Sequence, residues 1–436
     1  MKQETGKMRM KQKRYAIIGI SGRSNMYTKS ILEQYSDNSE IVALLDSNYA
    51  RIDNFNEHNK LSIPGYDETE FDKMVAETKP NVVVVSTTDD THHIFIVAAL
   101  KYDMDVISEK PMTTKAEYVR EILEAEKNSK GTVTITFNYR YAPIHTRIKE
   151  MILANKVGRP TLVDFNYYLD TFHGASYFKR WNRYEETAGS LMITKACHHF
   201  DLVNWWLDQT PVEVFAFGAL NYYGPDGVEN PEKIDGRRCS TCKTPCTYFK
   251  RHSTGDKSVD EHLVNFNNPG KTELYGRVDG YYPDRCIFDS DIDTWDTFSL
   301  TVLYSGGTMM SYSLNASLPY EGYRLAISGT EGRLETEVVH AEGSRLPFPV
   351  KPGPQDIRYF PLFDALQTIN VINKGGGHGG GDPLILRDLF VGADKNETIK
   401  RTAGSQDGAM SVLLGVAARE SLKSGKSIKI ADLLKG

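Results

Sequence analysis

The apolar positions of the first 140 residues change period repeatedly along the chain. Tyr15–Ile20 is a short apolar run, and the helix-like stretch Tyr27–Tyr35 follows it. Ile41–Asp46 reads as a second strand, with helical patterns at Tyr49–His58 and Phe71–Thr78. Asn81–Ser86 is an unbroken apolar strand, His92–Lys101 is helical, and Asp105–Ser108 is a short strand. Lys115–Asn128 has the stripe of an amphipathic helix, and Thr132–Asn138 closes the series as a strand. Unbroken apolar strands are covered on both faces. Strands alternating with helices predict a doubly wound parallel sheet, the dinucleotide-binding pattern.

After Tyr141 the pattern is different. Pro143–Asn155 reads as a helix, Thr161–Leu169 alternates with period two, and Thr194–Leu207 reads as one helix before a strand at Val212–Ala219. Leu220–Trp295 has little periodicity, and connections this long are usually functional or stapled. Strands then recur at Thr297–Tyr304, Thr308–Asn315, Tyr323–Ser328 and Arg333–Thr336, with turns at Ser305–Gly307 and Gly329–Gly332. They predict a mainly antiparallel sheet. A glycine-rich loop at Gly375–Gly381 precedes a helical pattern from Pro383, and Asp407–Lys423 is a last helix. The expected organisation is a lead-in over residues 1–14, a Rossmann domain over 15–140 and an α+β domain over 141–436. The second domain carries an insertion at about 220–295.

Composition narrows the class. With 436 residues, 40% apolar and 25% charged, the chain has enough material for two cores and is not wholly disordered. Lys+Arg 52 against Asp+Glu 57 leaves net −5, which offers no bulk positive field for nucleic acid or a membrane surface. No apolar run is long enough to span a bilayer. Five cysteines are too few for a disulfide scaffold, and the basic start lacks an apolar core like that of a signal peptide. The expected compartment is the cytoplasm.

Between the first strand and the first helix lies Gly19-Ile20-Ser21-Gly22-Arg23-Ser24. In a dinucleotide fold the first glycine makes the tight turn, and small residues let the backbone approach a pyrophosphate. Against G-x-G-x-x-G, Ser21 and Ser24 stand in the second and third glycine positions, and Gly22 lies off template. Asp46 ends the second strand. A carboxylate there accepts from ribose hydroxyls and repels a 2′-phosphate, which favours NAD over NADP.

Ser108-Glu109-Lys110-Pro111 follows a short strand, where open α/β sheets bind ligands. A lysine held there can stabilise a developing alkoxide, or act as base when deprotonated. Here the sequence resembles the Gfo/Idh/MocA oxidoreductase family. Thr87-Thr88-Asp89-Asp90-Thr91-His92 is similar to its TPNxxH loop, and Glu109-Lys110-Pro111 to its EKP motif. Phe137-Asn138-Tyr139-Arg140-Tyr141-Ala142-Pro143 is similar to its FNxRxxP segment, and Gly329-Thr330-Glu331-Gly332-Arg333-Leu334 to its GTEGxL hairpin. The resemblance implies a Rossmann domain, an open-sheet second domain and a homodimer or homotetramer. It implies that Thr87, Thr88, His92, Glu109 and Asn138 join the glycine loop around NAD, and that Lys110 is catalytic. It also implies a D-x-x-x-H-x-x-D pattern that binds substrate and relays the proton. His198 and Asp201 fit its later positions, but Thr194 stands where the first aspartate is usual, with Lys195 beside it. That departure opens the proton relay to His198, His199 or Lys195, and histidine titrates in the right range.

Arg140, His173, Tyr177, Arg180, Trp181 and His378 are further substrate candidates, because aromatic faces and nitrogen donors suit a polyhydroxylated ligand. Tyr320–Arg324, containing Glu321, sits at a strand entry and could add contacts. Cys239, Cys242, Cys246 and Cys286 fall in the aperiodic segment and could close a structural zinc site. The sequence therefore predicts an NAD-dependent oxidoreductase acting on a secondary alcohol or ketone of a carbohydrate, with a glycoside or sugar derivative favoured. Two alternatives stand beside it: a redox-neutral NAD-dependent glycosidase, and a non-catalytic NAD- or sugar-binding regulator.

Overall fold

The computed structural model describes residues 12–232, 234–244, 246–252, 272–340, 355–372, 377–394 and 396–435. Most of the expected lead-in, part of the aperiodic segment and the residues Gly375 and Gly376 lie outside the described residues.

The first sheet contains β1 (Lys13–Ile18), β2 (Ser39–Leu45), β3 (Gly65–Tyr66), β4 (Val82–Val85), β5 (Asp105–Ser108) and β6 (Val133–Ile135), all parallel. Their order is β6-β5-β4-β1-β2-β3. The crossovers include α1 (Asn25–Lys29), α2 (Tyr49–Asn59), α3 (Phe71–Thr78), α4 (His92–Leu100) and α5 (Ala116–Lys127). All four valines of β4 are buried, because helices cover both faces of this central strand. The winding reverses between β1 and β4, so the crevice for a ligand lies at their carboxyl ends.

The second sheet has nine strands. They are β7 (Pro160–Asp170), β8 (Pro211–Ala219), β9 (Thr297–Tyr304), β10 (Met309–Leu318), β11 (Gly322–Gly329), β12 (Gly332–Val339), β13 (Gln355–Pro361), β14 (Gln367–Val371) and β16 (Ile428–Lys429). Their order is β14-β13-β12-β11-β7-β10-β9-β8-β16. Only β7 and β10 pair in parallel, so the sheet is mainly antiparallel. The helix Ser405–Ser424 packs on β8, on the helix Cys197–Leu207 and on α5, which joins the two cores. Among the described residues no helix is long and apolar enough to cross a membrane.

The late part of the chain returns to the first sheet. Ala403–Gly404 forms β15, antiparallel to β6, and covers an edge that would otherwise be open. Phe390 of the helix Asp382–Phe390 packs on Tyr15 and Tyr35 at ring distances of 5.5 and 5.1 Å. A two-residue strand and the ring contacts of one aromatic residue carry no periodicity, so neither is visible in the sequence.

Arg140 is one of the knots between the cores. Its guanidinium donates to both Asp201 oxygens at 2.8 and 2.6 Å and to Asp407 at 2.9 Å, and the residue is 1% exposed. The expectation that Arg140 contacts substrate is therefore corrected: its donors are directed into a buried ion pair. Removing one partner of such a pair strands a buried charge. Arg140→Ala is expected to lose about 3–5 kcal/mol of unfolding free energy in urea titrations. A loss below about 1 kcal/mol, the value of an exposed pair, would contradict this assignment.

Candidate active site

The glycine loop is shaped by the backbone around it. Gly19 has φ +84, and a Cβ there would lie 2.8 Å from backbone atoms of Ser86 and Thr87. The loops after β1 and β4 therefore touch, and only glycine permits it. Ser24 is buried, donating to the Ser21 carbonyl at 2.8 Å and accepting from its N–H at 3.0 Å. Ser21 and Arg23 are half-buried, and Gly22 is exposed. Glu109 was expected beside the cofactor, but its buried carboxylate accepts from Arg23, the Tyr27 hydroxyl and the Lys110 N–H. Burial pushes that carboxyl up, but Arg23 and Tyr27 more than offset it. Glu109 thus bolts the glycine loop to the end of β5. His92 has a similar supporting place, with its ring nitrogens against the carbonyls of Pro111 at 2.8 Å and Thr87 at 3.3 Å. It holds two loops together from behind, so its expected cofactor contact is corrected too. Thr87 and Thr88 stay half-buried at the crevice, tied to Thr91.

At the end of β2, Asp46 accepts from the N–H groups of Ile20 at 2.7 Å and Asn48 at 2.9 Å, and from Arg51 at 3.2 Å. Each carboxylate oxygen has two acceptor sites, so capacity remains for a ribose hydroxyl. What covers this place carries no periodic pattern of its own in the chain. The helix Thr272–Asp279, from the insertion, lies against α2. Asn48 donates to the Tyr275 carbonyl at 3.1 Å and to Asp279 at 2.7 Å. Arg51 reaches Asp279 at 2.6 Å and lies over the Tyr275 ring.

The surroundings of Lys110 form where β5 meets the second domain. The helix predicted over Thr194–Leu207 is broken into Leu191–Thr194 and Cys197–Leu207. In an unbroken helix the His198 N–H would bond the Thr194 carbonyl. Here it turns to the Lys195 carbonyl at 3.4 Å, and the Thr194 carbonyl accepts from Lys110 Nζ at 2.9 Å. The break thus creates the seat for the lysine. His198 is buried, stacks on Tyr139 at 4.5 Å, and its Nδ1 has no hydrogen-bond partner among the described residues. Burial, with the charges of Lys110, His378 and Lys195, holds His198 well below its usual pKa, so it is a neutral imidazole. His199 faces the other way. Its Nδ1 meets the Tyr312 hydroxyl at 2.7 Å and its ring packs on Tyr167 and Phe165, while its Nε2 has no hydrogen-bond partner among the described residues.

Around this centre stand most of the remaining candidates. Glu321 gathers His173 Nδ1 at 2.8 Å, the Tyr167 hydroxyl at 2.8 Å and Lys195 Nζ at 3.6 Å. Lys195 is therefore an ion-paired ammonium over the Tyr167 ring, and not a free base. Tyr177 stacks on His173, and Arg180 binds back to Ser176. Tyr281 of the insertion reaches the Trp181 backbone and stands beside Arg180. His378 contacts Asp382 at 3.1 Å, and Asp382 also accepts from Asn138 at 2.7 Å. Asp89, in the loop after β4, is buried within the same Thr87–His92 segment.

Several buried polar atoms after these strands lack a partner among the described residues. They include Asp89 Oδ2 and Asp90 Oδ1 after β4, Thr113 Oγ1 and Thr114 Oγ1 after β5, and Asn138 Oδ1 after β6. Unsatisfied buried polar atoms are costly, and a row of them at the carboxyl ends of a Rossmann sheet fits a polar ligand such as a dinucleotide.

The four insertion cysteines line one pocket with Tyr248, Phe249, Ile287 and Phe288. Among the described residues, however, no group of three or more His, Cys, Asp or Glu side chains is arranged to hold a metal ion. The expected zinc site is corrected on that ground. The cysteines are free, and burial pushes the Cys239 thiol up to about 11, which keeps it protonated.

Glu321 makes the site's charge testable. Burial pushes its carboxyl up, but His173 and Lys195 outweigh burial and hold it well below the ordinary 4.5. A depressed carboxyl stabilises the fold above its unfolded pKa, and that gain is lost as pH falls through the folded value. The stability difference between wild type and Glu321→Gln is expected to shrink as pH falls below about 4. A difference constant with pH would contradict the network.

Comparison with known proteins agrees with this architecture. The GFO_IDH_MocA domain described as "Oxidoreductase family, NAD-binding Rossmann fold" matches residues 13–137. Its companion, "Oxidoreductase family, C-terminal alpha/beta domain", matches residues 149–430. A chain named as an oxidoreductase, YteT of Bacillus subtilis (strain 168), is 47% identical, covering 97% of this chain and 98% of that one. The inositol 2-dehydrogenase of Rubrobacter xylanophilus is 25% identical over 46% of this chain and 54% of its own length. The WlbA dehydrogenase of Bordetella pertussis, solved with NADH and UDP-GlcNAcA, shares the fold at a TM-score of 0.62 and 16% identity. That match covers 96% of this chain and 98% of WlbA. The chain belongs to the Gfo/Idh/MocA oxidoreductase family, with an NAD-binding Rossmann domain and a C-terminal α/β domain.

Proposed function

We propose that the protein is an NAD-dependent oxidoreductase that interconverts a secondary alcohol and a ketone on a carbohydrate or cyclitol. The observation that carries this reading is Lys110, held at the end of β5 by the freed Thr194 carbonyl, beside a neutral His198. Its ammonium would donate to the reacting oxygen and stabilise negative charge as it develops. His198 would hydrogen-bond the reacting hydroxyl through its unpaired nitrogen and orient it for loss of its proton. The bound nicotinamide supplies hydride acceptance. Gly19, Ser21 and Asp46 would hold its dinucleotide, with Thr87, Thr88 and Asn138 towards the reacting end. His173, Tyr177, Arg180, Trp181, Lys195 and His378 offer aromatic faces and donors that suit a polyhydroxylated ring. The aromatic entrance and the insertion beside it favour a glycoside. The inositol dehydrogenase relative supports polyol chemistry in general.

Two carboxylates bear on cofactor choice. Asp46 and Asp279 share Arg51, so that guanidinium is not free to bind a 2′-phosphate. NAD is therefore preferred over NADP. Asp46→Ser is expected to narrow the ratio of NAD to NADP affinity by about tenfold or more, read by cofactor-binding titration. An unchanged ratio would contradict this role.

One observation favours a redox-neutral form of the same chemistry. The helix Thr272–Asp279 is tied to Asn48 and Arg51 beside Asp46, so it would cover the adenosine end of a bound dinucleotide and slow its release between the two half-reactions. The deciding experiment mixes purified protein, NAD and a panel of glycosides, free sugars and inositols, beside Lys110→Ala. NADH formation, reduced about 100-fold or more in the variant, is expected. Aglycone release without NADH would favour the redox-neutral form. Binding of NAD with no turnover of any kind would overturn the enzyme reading and leave a regulator.

A further inference from the structure

Oxidising an alcohol releases a proton, and the carboxylates near Lys110 differ in their freedom to take it. Glu109 is spent on Arg23 and Tyr27, Glu321 on His173 and Lys195, and Asp201 on Arg140. Thr194, whose carbonyl accepts from Lys110 Nζ at 2.9 Å, has no acid function. Asp89 is different. It is 6% exposed in the loop after β4, the strand paired with β5, and its Oδ2 has no partner among the described residues. The Lys110 charge and the Thr194 hydroxyl both bear on its carboxyl and oppose the effect of burial. The Thr194 carbonyl meanwhile seats Lys110.

We propose that Asp89 is a catalytic base of this site, taking the proton of the substrate hydroxyl on its unpaired Oδ2 while Lys110 remains an ammonium. This rests on the oxidoreductase reading above. In the oxidative direction the O–H bond breaks and its proton passes to Asp89. The C–H bond breaks, its electron pair leaves as hydride to the oxidised cofactor, and the C=O bond forms. Reduction runs the same steps backwards. The charged and titratable groups facing Asp89 are Lys110 from the β5 end, Asp90 and Glu109 from the two loops, and Cys197 from the helix across the cleft. Burial pushes the Asp89 carboxyl up to about 7, opposed by Lys110 and Thr194. A carboxyl in that range is suited to exchange protons near neutral pH.

The test compares full-length wild type, Asp89→Asn, Asp89→Glu and the double variant Asp89→Asn/Thr194→Asp, each with NAD and the same panel. Asp89→Asn is expected to lower the oxidation rate about 100-fold or more and to erase the acid limb of the pH profile. Asp89→Glu is expected to keep the limb at a reduced rate. The double variant returns a carboxylate to within reach of the same spot, and is expected to recover about tenfold or more over Asp89→Asn. Full activity of Asp89→Asn with an unchanged pH profile would overturn the proposal. If wild type turns over nothing on the panel, the oxidoreductase reading fails and Asp89 is decided separately by carboxyl 13C NMR of aspartate-labelled protein. A signal absent from Asp89→Glu, titrating near pH 7 and shifted in Lys110→Met, supports the assignment. A signal titrating below about pH 5 overturns it.

Discussion

The site depends on one hydrogen bond between the two domains, from the Lys110 ammonium to the Thr194 carbonyl. A backbone carbonyl inside a helix is normally committed to its own ladder. Here the ladder stops at Lys195–Ala196, and the released carbonyl points at the end of β5. The lysine is thereby held by backbone from the second domain while its own backbone is fixed by the first. The Arg23–Glu109–Tyr27 cluster supports the same place from behind by fixing the glycine loop to β5. The Arg140–Asp201–Asp407 knot fixes the helix Cys197–Leu207 to the segment after β6 and to the helix Ser405–Ser424. Movement at either support would shift Lys110 relative to His198.

Much of the fold was legible because burial writes itself into periodicity. The unbroken valines of β4 and the alternation along β7 and β9 gave the strands and the two sheet types. The short elements were not legible. β15 has two residues, and its pairing with β6 closes a sheet edge without any apolar pattern of its own. The helix break at Lys195 was hidden for a related reason: the apolar positions on both sides stay in register with one helix, and no glycine or proline marks the interruption.

Within the site, residue type pointed to the right neighbourhood more often than to the right role. Lys110, His198, Lys195, His173 and His378 do come together around one cleft. Arg140, His92, Glu109 and His199 carry the same donors and acceptors, but their partners are internal and they hold the cleft's walls. Sequence shows what a side chain can bond and leaves unseen what already bonds it. Asp89 shows the converse. Its chemistry was plain in the sequence, but its significance comes from an oxygen left unpaired beside an ammonium. The insertion holds a similar lesson. Its cysteines suggested a metal, whereas its structural part in the site is the helix Thr272–Asp279 laid on Asn48 and Arg51.

A crystal structure of the protein with NAD and a bound sugar or cyclitol would show whether the Thr194 carbonyl holds Lys110 against the reacting oxygen. The nicotinamide is expected at the carboxyl ends of β4 and β5, with Lys110 Nζ bonded at once to the Thr194 carbonyl and to the ligand oxygen on the reacting carbon. A nicotinamide seated elsewhere, or a Lys110 turned away from both oxygens, would contradict this arrangement.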